Sequence, residues 1–314
     1  MKILIEVPTW LGDTVMSTPA IENVMAVYPK CQIILFGSFV STKIFLQHPN
    51  VTQIIVDQSK DKGSRYLNLY RLAQKVGKVD LALSFRQSFS TRFFFWFVEA
   101  QKKCIYKRYR EKPVHQVVRY NDFVNHCLGT DFTPKKLKIY YNTLEQAQRQ
   151  KPIVGINPGA TYGSAKRWYP QEFAKVAIAL SSHYDVVLFG GPGEVEMAND
   201  IENLLKNAAI TNYQNLAGKT SVEGLIEHIS HLNLFITADS GPMHIAAAFD
   251  VPTVSIFGPT RASETNQWQN PKSIVVKKDL FCAPCMKRTC PLGHHECMKL
   301  ITANDVLEAV KKLT

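Results

Sequence analysis

The sequence predicts an α/β protein of two Rossmann-like domains in series, each built on a parallel sheet. Three observations carry this. Short apolar runs alternate with helical stretches along the chain. Several runs are unbroken Val, Ile, Leu and Phe, as strands covered on both faces require. A polar stretch at 142–152, closed by Pro152, divides the series in two.

In the first half, strands are expected at Ile3–Val7, Gln32–Phe36, Gln53–Val56, Leu81–Phe85 and Cys104–Tyr106. In the second half they are expected at Ile153–Ile156, Asp185–Phe189, Leu234–Thr237, Thr253–Phe257 and Ser273–Val276. Phe173–Ser181 and Val195–Lys206 are the clearest helical patterns between them. Ala303–Leu313 reads as an amphipathic helix with Val306, Leu307, Val310 and Leu313 on one face. The domains are assigned to residues 1–150 and 151–314, with the last helix free to pack back on the N-terminal domain. Two such sheets are expected to face a central cleft, where ligands meet the carboxyl ends of the strands.

At 46% hydrophobic and 20% charged residues, the 314-residue chain is not disordered, collagenous or a coiled coil. No run approaches the roughly 20 apolar residues of a membrane span; the longest conspicuous one is Phe93–Val98. The N-terminus shows no signal-peptide core, so a cytoplasmic protein is expected. The net charge of +11 lies wholly in the first half: residues 1–150 hold 22 Lys or Arg and 11 acids, whereas residues 151–314 hold 15 of each. Such a surface draws nucleic acid, anionic lipid or a phosphorylated substrate, or serves solubility alone. No nucleic-acid reading module accompanies it, and nucleic acid is not expected as a partner.

Four segments at strand ends carry the candidate chemistry. After the first strand comes Pro8-Thr9-Trp10-Leu11-Gly12-Asp13-Thr14, with Ser17-Thr18-Pro19 read as the cap and first turn of the next helix. Asp13 then sits in the connecting loop, either as a general base for a hydroxyl or as a local turn and cap residue. The second half opens with Asn157-Pro158-Gly159-Ala160-Thr161-Tyr162-Gly163-Ser164-Ala165-Lys166-Arg167-Trp168. Thr161 and Lys166 suit a phosphate, near the helix expected to start at Pro170; Arg167 and Trp168 read equally as a surface cation stacked on an indole. Gly190-Gly191-Pro192-Gly193-Glu194 lacks the dinucleotide spacing, and Glu194 reads as a ribose ligand or a first-turn acid. Finally, Ala238-Asp239-Ser240-Gly241-Pro242-Met243-His244 joins a strand to an Ala-rich helix whose first N–H groups can hold a pyrophosphate.

This ordered set resembles the bacterial lipopolysaccharide heptosyltransferases, glycosyltransferase family 9, of GT-B fold. It spans nearly the whole chain, and Cys290-Pro291-Leu292-Gly293-His294-His295-Glu296-Cys297 is most similar to the branch that adds the second core heptose. The resemblance implies an ADP-heptose donor, a heptosyl-Kdo-lipid A acceptor and inversion at the anomeric carbon. It implies that the N-terminal domain binds the acceptor and the C-terminal domain the donor. Asp13 matches the base, Thr161 and Lys166 the donor-phosphate contacts, and Glu194 a nucleotide-side contact. Asp239, Ser240, Gly241, Met243 and His244 match the donor-binding turn. Between Lys102 and Arg119 seven cations stand against Glu111 alone, and Arg108 and Arg119 are the acceptor candidates. Such a face would place the enzyme peripherally at the inner face of the cytoplasmic membrane. No cofactor is implied. A heptosyltransferase adding the first heptose, another GT-B transferase with a different nucleotide sugar, and a non-enzymatic anion-binding protein remain as rival readings.

Cys282, Cys285, Cys290 and Cys297, with His294 and His295 among them, supply enough soft ligands for a zinc ion. The spacing departs from paired C-x-x-C motifs, so reduced packing cysteines are the preferred reading and no metal site is assigned.

Overall fold

A computed structural model describes residues 1–109, 113–143 and 150–313. Arg110, Glu111 and Lys112 of the basic stretch and residues 144–149 of the linker lie outside the described residues. The chain forms two compact units, Met1–Asn142 and Thr143–Thr314.

The first unit runs β1 (Lys2–Glu6), α1 (Leu11–Val27), β2 (Gln32–Gly37), the short α2 (Phe39–Thr42), β3 (Val51–Val56), α3 (Arg65–Val76), β4 (Lys78–Ser84), α4 (Phe89–Phe97), β5 (Glu99–Ile105) and α5 (Gln116–Leu128). Its five strands are parallel in the order β3-β2-β1-β4-β5, with Ile3 of β1 opposite both Ile33 and Leu81. The order reverses between β1 and β4, so the loops leaving these two strands part and open a crevice.

The second unit runs β6 (Ile153–Asn157), α6 (Pro170–Leu180), β7 (Asp185–Leu188), α7 (Val195–Asn207), β8 (Tyr213–Asn215), α8 (Val222–Ser230), β9 (Leu234–Ala238), α9 (Gly241–Ala248), β10 (Thr253–Ile256), the short α10 (Ala262–Thr265), β11 (Ser273–Val276), the short α11 (Glu296–Lys299) and α12 (Ala303–Lys311). Its six parallel strands are ordered β11-β10-β9-β6-β7-β8, reversing between β6 and β9. β6, β9 and β10 are buried along their whole length, so even Thr253 and Ser255 of β10 face no solvent.

Several details differ from expectation. α1 begins at Leu11, six residues before the expected cap, so Asp13 lies in its first turn. Pro19 is interior; it cannot donate to the Val15 carbonyl, and the Thr18 hydroxyl does so instead at 2.8 Å. The three-residue edge strand β8 has no apolar run to announce it. Phe93–Val98 is not simply core: Phe94, Phe95 and Val98 are buried, but Trp96 is 82% exposed. The last helix, α12, buries part of its apolar face within the second unit. Val306, Ala309 and Val310 join the core of the second unit, and the helix packs on α6, β10 and β11. Cys104 of β5 and Cys127 of α5 form a disulfide that the sequence reading did not pair.

Candidate functional site

At the β1–β4 crevice the first candidate is Asp13. As the third residue of α1 it sits where the helix dipole favours a carboxylate, half-buried rather than sealed. Tyr120 of α5 hydrogen-bonds its side chain. Burial, and next the Asp13 charge, push the Tyr120 phenol well above its ordinary range, so it stays a donor. The two helices are fixed together by Asn23 Nδ2 donating to Asn121 Oδ1 at 2.5 Å. Tyr120 escaped the sequence reading because no spacing links it to Asp13.

Below this lies a buried ionic group, also unforeseen. Glu6, at the end of β1, is 1% exposed and pairs with Arg86 at 3.2 Å. Ser84 and Thr91 hydroxyls donate to it at 2.6 and 3.1 Å. Burial raises the Glu6 pKa, and Arg86 opposes that. Arg86 follows β4 and is thereby pinned at the crevice. Arg108 is exposed in the loop after β5, and Arg119 lies half-buried in α5, its guanidinium 3.3 Å from Gln116 Oε1.

In the second unit the loops after β6 and β9 meet at the other order reversal. Lys166 Nζ lies 2.6 Å from Asp239 Oδ2 and 4.7 Å above the Tyr162 ring. Asp239 is 5% exposed and also accepts from the Thr260 hydroxyl at 2.5 Å. It therefore anchors the lysine and does not cap the helix. Ser240 is the N-cap of α9, and its hydroxyl makes no cap bond among the described residues. Instead that hydroxyl accepts from Asn157 Nδ2 at 3.0 Å, which ties the end of β6 to the start of α9. An ammonium thus stands beside a helix start, an arrangement suited to a diphosphate. Thr161 is exposed on the Lys166 loop, Gly241 opens α9, and Met243 and His244 are buried behind it.

Glu194 faces the same loop. Its carboxylate accepts from the Gly191 N–H at 2.8 Å and lies against Gly159, where a Cβ would push this flexible side-chain end aside. Trp168 is not a surface indole stacked with Arg167: it is 1% exposed, edge-on to Phe173, and donates to the Ile301 carbonyl at 2.9 Å.

The cysteine-rich segment braces this loop. The Arg288 carbonyl accepts from Ala165 N at 3.0 Å, and Tyr162 donates to the Met286 carbonyl at 3.0 Å. The ring nitrogens of His295 lie 2.9 Å from the Ala165 carbonyl and 2.9 Å from the Tyr169 hydroxyl. Arg288 also lies 5.2 Å from the Tyr162 ring, bringing a second cation that the sequence reading passed over. Cys282, Cys285, Cys290 and Cys297 are free thiols lining one small cavity. Burial, then the neighbouring sulfurs, push Cys297 up to about 11. Among the described residues, no group of three or more His, Cys, Asp or Glu side chains is set to hold a metal ion.

The sequence model for glycosyltransferase family 9 (heptosyltransferase) matches residues 69–296, a span that includes both loops. The chain belongs to glycosyltransferase family 9. Over its full length this family 9 chain is 42% identical to lipooligosaccharide heptosyltransferase 2 of Campylobacter jejuni serotype O:2, covering 98% of that protein. The solved structure of the Escherichia coli ADP-heptose lipopolysaccharide heptosyltransferase II matches with a TM-score of 0.78 at 25% identity, covering 100% of this chain and 98% of that one. A family 9 glycosyltransferase from Veillonella parvula matches with a TM-score of 0.83 at 22% identity, covering 99% of this chain and 96% of that one. The protein is therefore a glycosyltransferase of GT-B fold, and the reading as a non-enzymatic anion-binding protein falls. No helix among the described residues is long and apolar enough to cross a membrane.

Proposed function

We propose that the protein transfers L-glycero-D-manno-heptose from ADP-heptose to the heptosyl-Kdo-lipid A inner core of lipopolysaccharide, adding the second heptose. Full-length similarity to proteins named heptosyltransferase 2 supports the reaction class. The observation that carries the chemistry is the Lys166 ammonium held by Asp239 beside the open first turn of α9.

Asp13 takes the proton of the acceptor hydroxyl as its oxygen bonds to the anomeric carbon. The bond from that carbon to the β-phosphate oxygen breaks, and attack opposite the leaving group inverts the centre. ADP departs with added negative charge, which Lys166 and the α9 turn stabilise without reorganising. Thr161 adds a hydroxyl donor to the phosphates, and Glu194 serves the nucleotide side. Ser240 and Gly241 form the turn, backed by Met243 and His244. Arg108 and Arg119 attract the carboxylates and phosphates of the acceptor.

The test is release of the nucleoside diphosphate, with mass and anomeric configuration of the product. ADP-heptose with a singly heptosylated acceptor should turn over, whereas UDP- and GDP-sugars should not. Transfer to an acceptor lacking heptose, or from a different nucleotide sugar alone, would overturn the assignment.

A further inference from the structure

The outer face of α3 and α4 carries aromatic surface that the transfer reaction does not use. Phe89 is 70% exposed and Trp96 82%; Tyr66, Leu67 and Tyr70 of α3 are exposed beside them. Ring contacts join α3 to α4: Tyr66 lies 6.0 Å from Phe89 and 4.9 Å from Phe93, Phe93 lies 5.1 Å from Phe97, and Phe97 lies 5.0 Å from Tyr70, while Trp96 follows Phe93 by one turn of α4. Phe94 and Phe95 point the other way, into the core of the unit. Burial therefore takes Phe94 and Phe95, Phe93 and Phe97 pack partly against the same core, and Trp96 faces outward.

Cations surround the patch. Lys60, Lys62, Arg71, Lys75 and Arg92 are all exposed. From Lys60 to Phe97 the chain holds eight Lys or Arg and only two acids, Asp61 and Asp80. Arg92 falls on the same helical stripe as Phe89, Phe93 and Trp96. Amphipathic rings with interleaved cations and few acids are the composition of a surface that lies in the headgroup region of an anionic bilayer. A second copy of the chain fits less well, because a twofold contact would set these cations against themselves. Phe89 opens α4 just beyond the end of β4, the strand beside β1, so the patch starts at the sheet edge that carries Asp13.

We infer that the α3–α4 face, centred on Phe89, Trp96 and Arg92, seats the protein on an anionic lipid surface. The inference deepens the proposed function, since it rests on a lipid-anchored acceptor, and it assigns the docking surface that this reading leaves open.

The experiment is co-sedimentation of the full chain with phosphatidylcholine vesicles, with and without about one-third phosphatidylglycerol, at low and high salt. The wild type should bind the anionic vesicles, and salt should weaken this. Trp96→Ser should lower partitioning about tenfold, and Arg71→Glu with Arg92→Glu about tenfold or more, on anionic vesicles only. Transfer is then assayed on the acceptor in vesicles and on the same saccharide deacylated. Both variants should lose rate in vesicles and keep it on the soluble saccharide. Unchanged vesicle binding in the variants, or equal losses on both acceptors, would overturn the docking surface. So would loss of self-association alone, seen by sedimentation velocity. Absence of turnover on either acceptor despite normal vesicle binding would instead count against the heptosyl-transfer reading.

Discussion

Replacing Tyr120 with Phe separates the positioning of Asp13, the proposed base, from its chemistry. The substitution keeps the buried ring between α1 and α5 and deletes only the hydroxyl that reaches Asp13. A hydrogen bond to a charged group is worth roughly 1.5–3 kcal/mol. A carboxylate losing such a donor binds its proton more tightly, and one pH unit corresponds to about 1.4 kcal/mol. The acid limb of the kcat/KM profile should therefore move up by roughly one to two pH units, with kcat near pH 8 down about tenfold through loss of alignment. Asp13→Asn should cost roughly 10² to 10⁴ in kcat and leave donor affinity unchanged. The assay is ADP release across pH 5–9 with saturating donor, alongside calorimetric binding of ADP. An unshifted acid limb in Tyr120→Phe, or near-normal turnover in Asp13→Asn, would refute the assignment of Asp13 as the base.

Three further outcomes follow from the same geometry. Lys166→Ala should weaken ADP binding about tenfold or more by calorimetry, and Asp239→Asn should do so by releasing the lysine, with a loss of roughly 1–3 kcal/mol in stability for breaking the buried pair. Gly159→Ala should cost under about 1 kcal/mol in urea unfolding, because the Glu194 carboxylate its Cβ meets is a flexible side-chain end, but should weaken ADP binding by displacing that carboxylate; the weakening should not add to that of Glu194→Ala, and additivity would contradict the contact. His48 is buried edge-on to Tyr140, and burial, then Lys138, lower its pKa to about 4. The unfolded chain takes up its proton near pH 6.5 while the folded chain does not, so stability should fall as pH drops from about 6.5 to 4, by roughly 3 kcal/mol. His48→Gln should flatten that slope in unfolding measured across pH.

The parallel strands were legible because burial on both faces leaves an unbroken apolar run, as in Ile33–Phe36 and Val186–Phe189. The loops after them were legible because a turn and a helix start favour Gly, Ser and Pro at short range, as in Ser240-Gly241-Pro242. β8 was not, since a polar edge strand of three residues carries no period. The start of α1 was misplaced because Ser17 and Pro19 mimic a cap, while the side chain that repairs Pro19, Thr18, looks like an ordinary polar residue. Long-range partners are where local reading ends. Tyr120 meets Asp13, Thr260 meets Asp239, and Arg288 meets Tyr162, all through the fold.

The two halves use charge in opposite ways. Residues 151–314 are neutral overall, yet they fix one ammonium within a buried pair: Lys166 is 13% and Asp239 5% exposed at the side chain. Residues 1–150 spread a surplus of +11 over exposed side chains such as Lys60, Lys62, Arg71, Lys75 and Arg92. Screening acts on exposed charges beyond roughly 10 Å at 0.1 M salt and far less on a buried pair. Raising salt should therefore raise the KM for a lipid-anchored acceptor steeply while shifting the donor KM little, measured by varying each substrate at saturating levels of the other. A parallel rise in both would mean that the first half's surplus also steers the donor, and that the division of charge between the halves does not mirror a division of substrates.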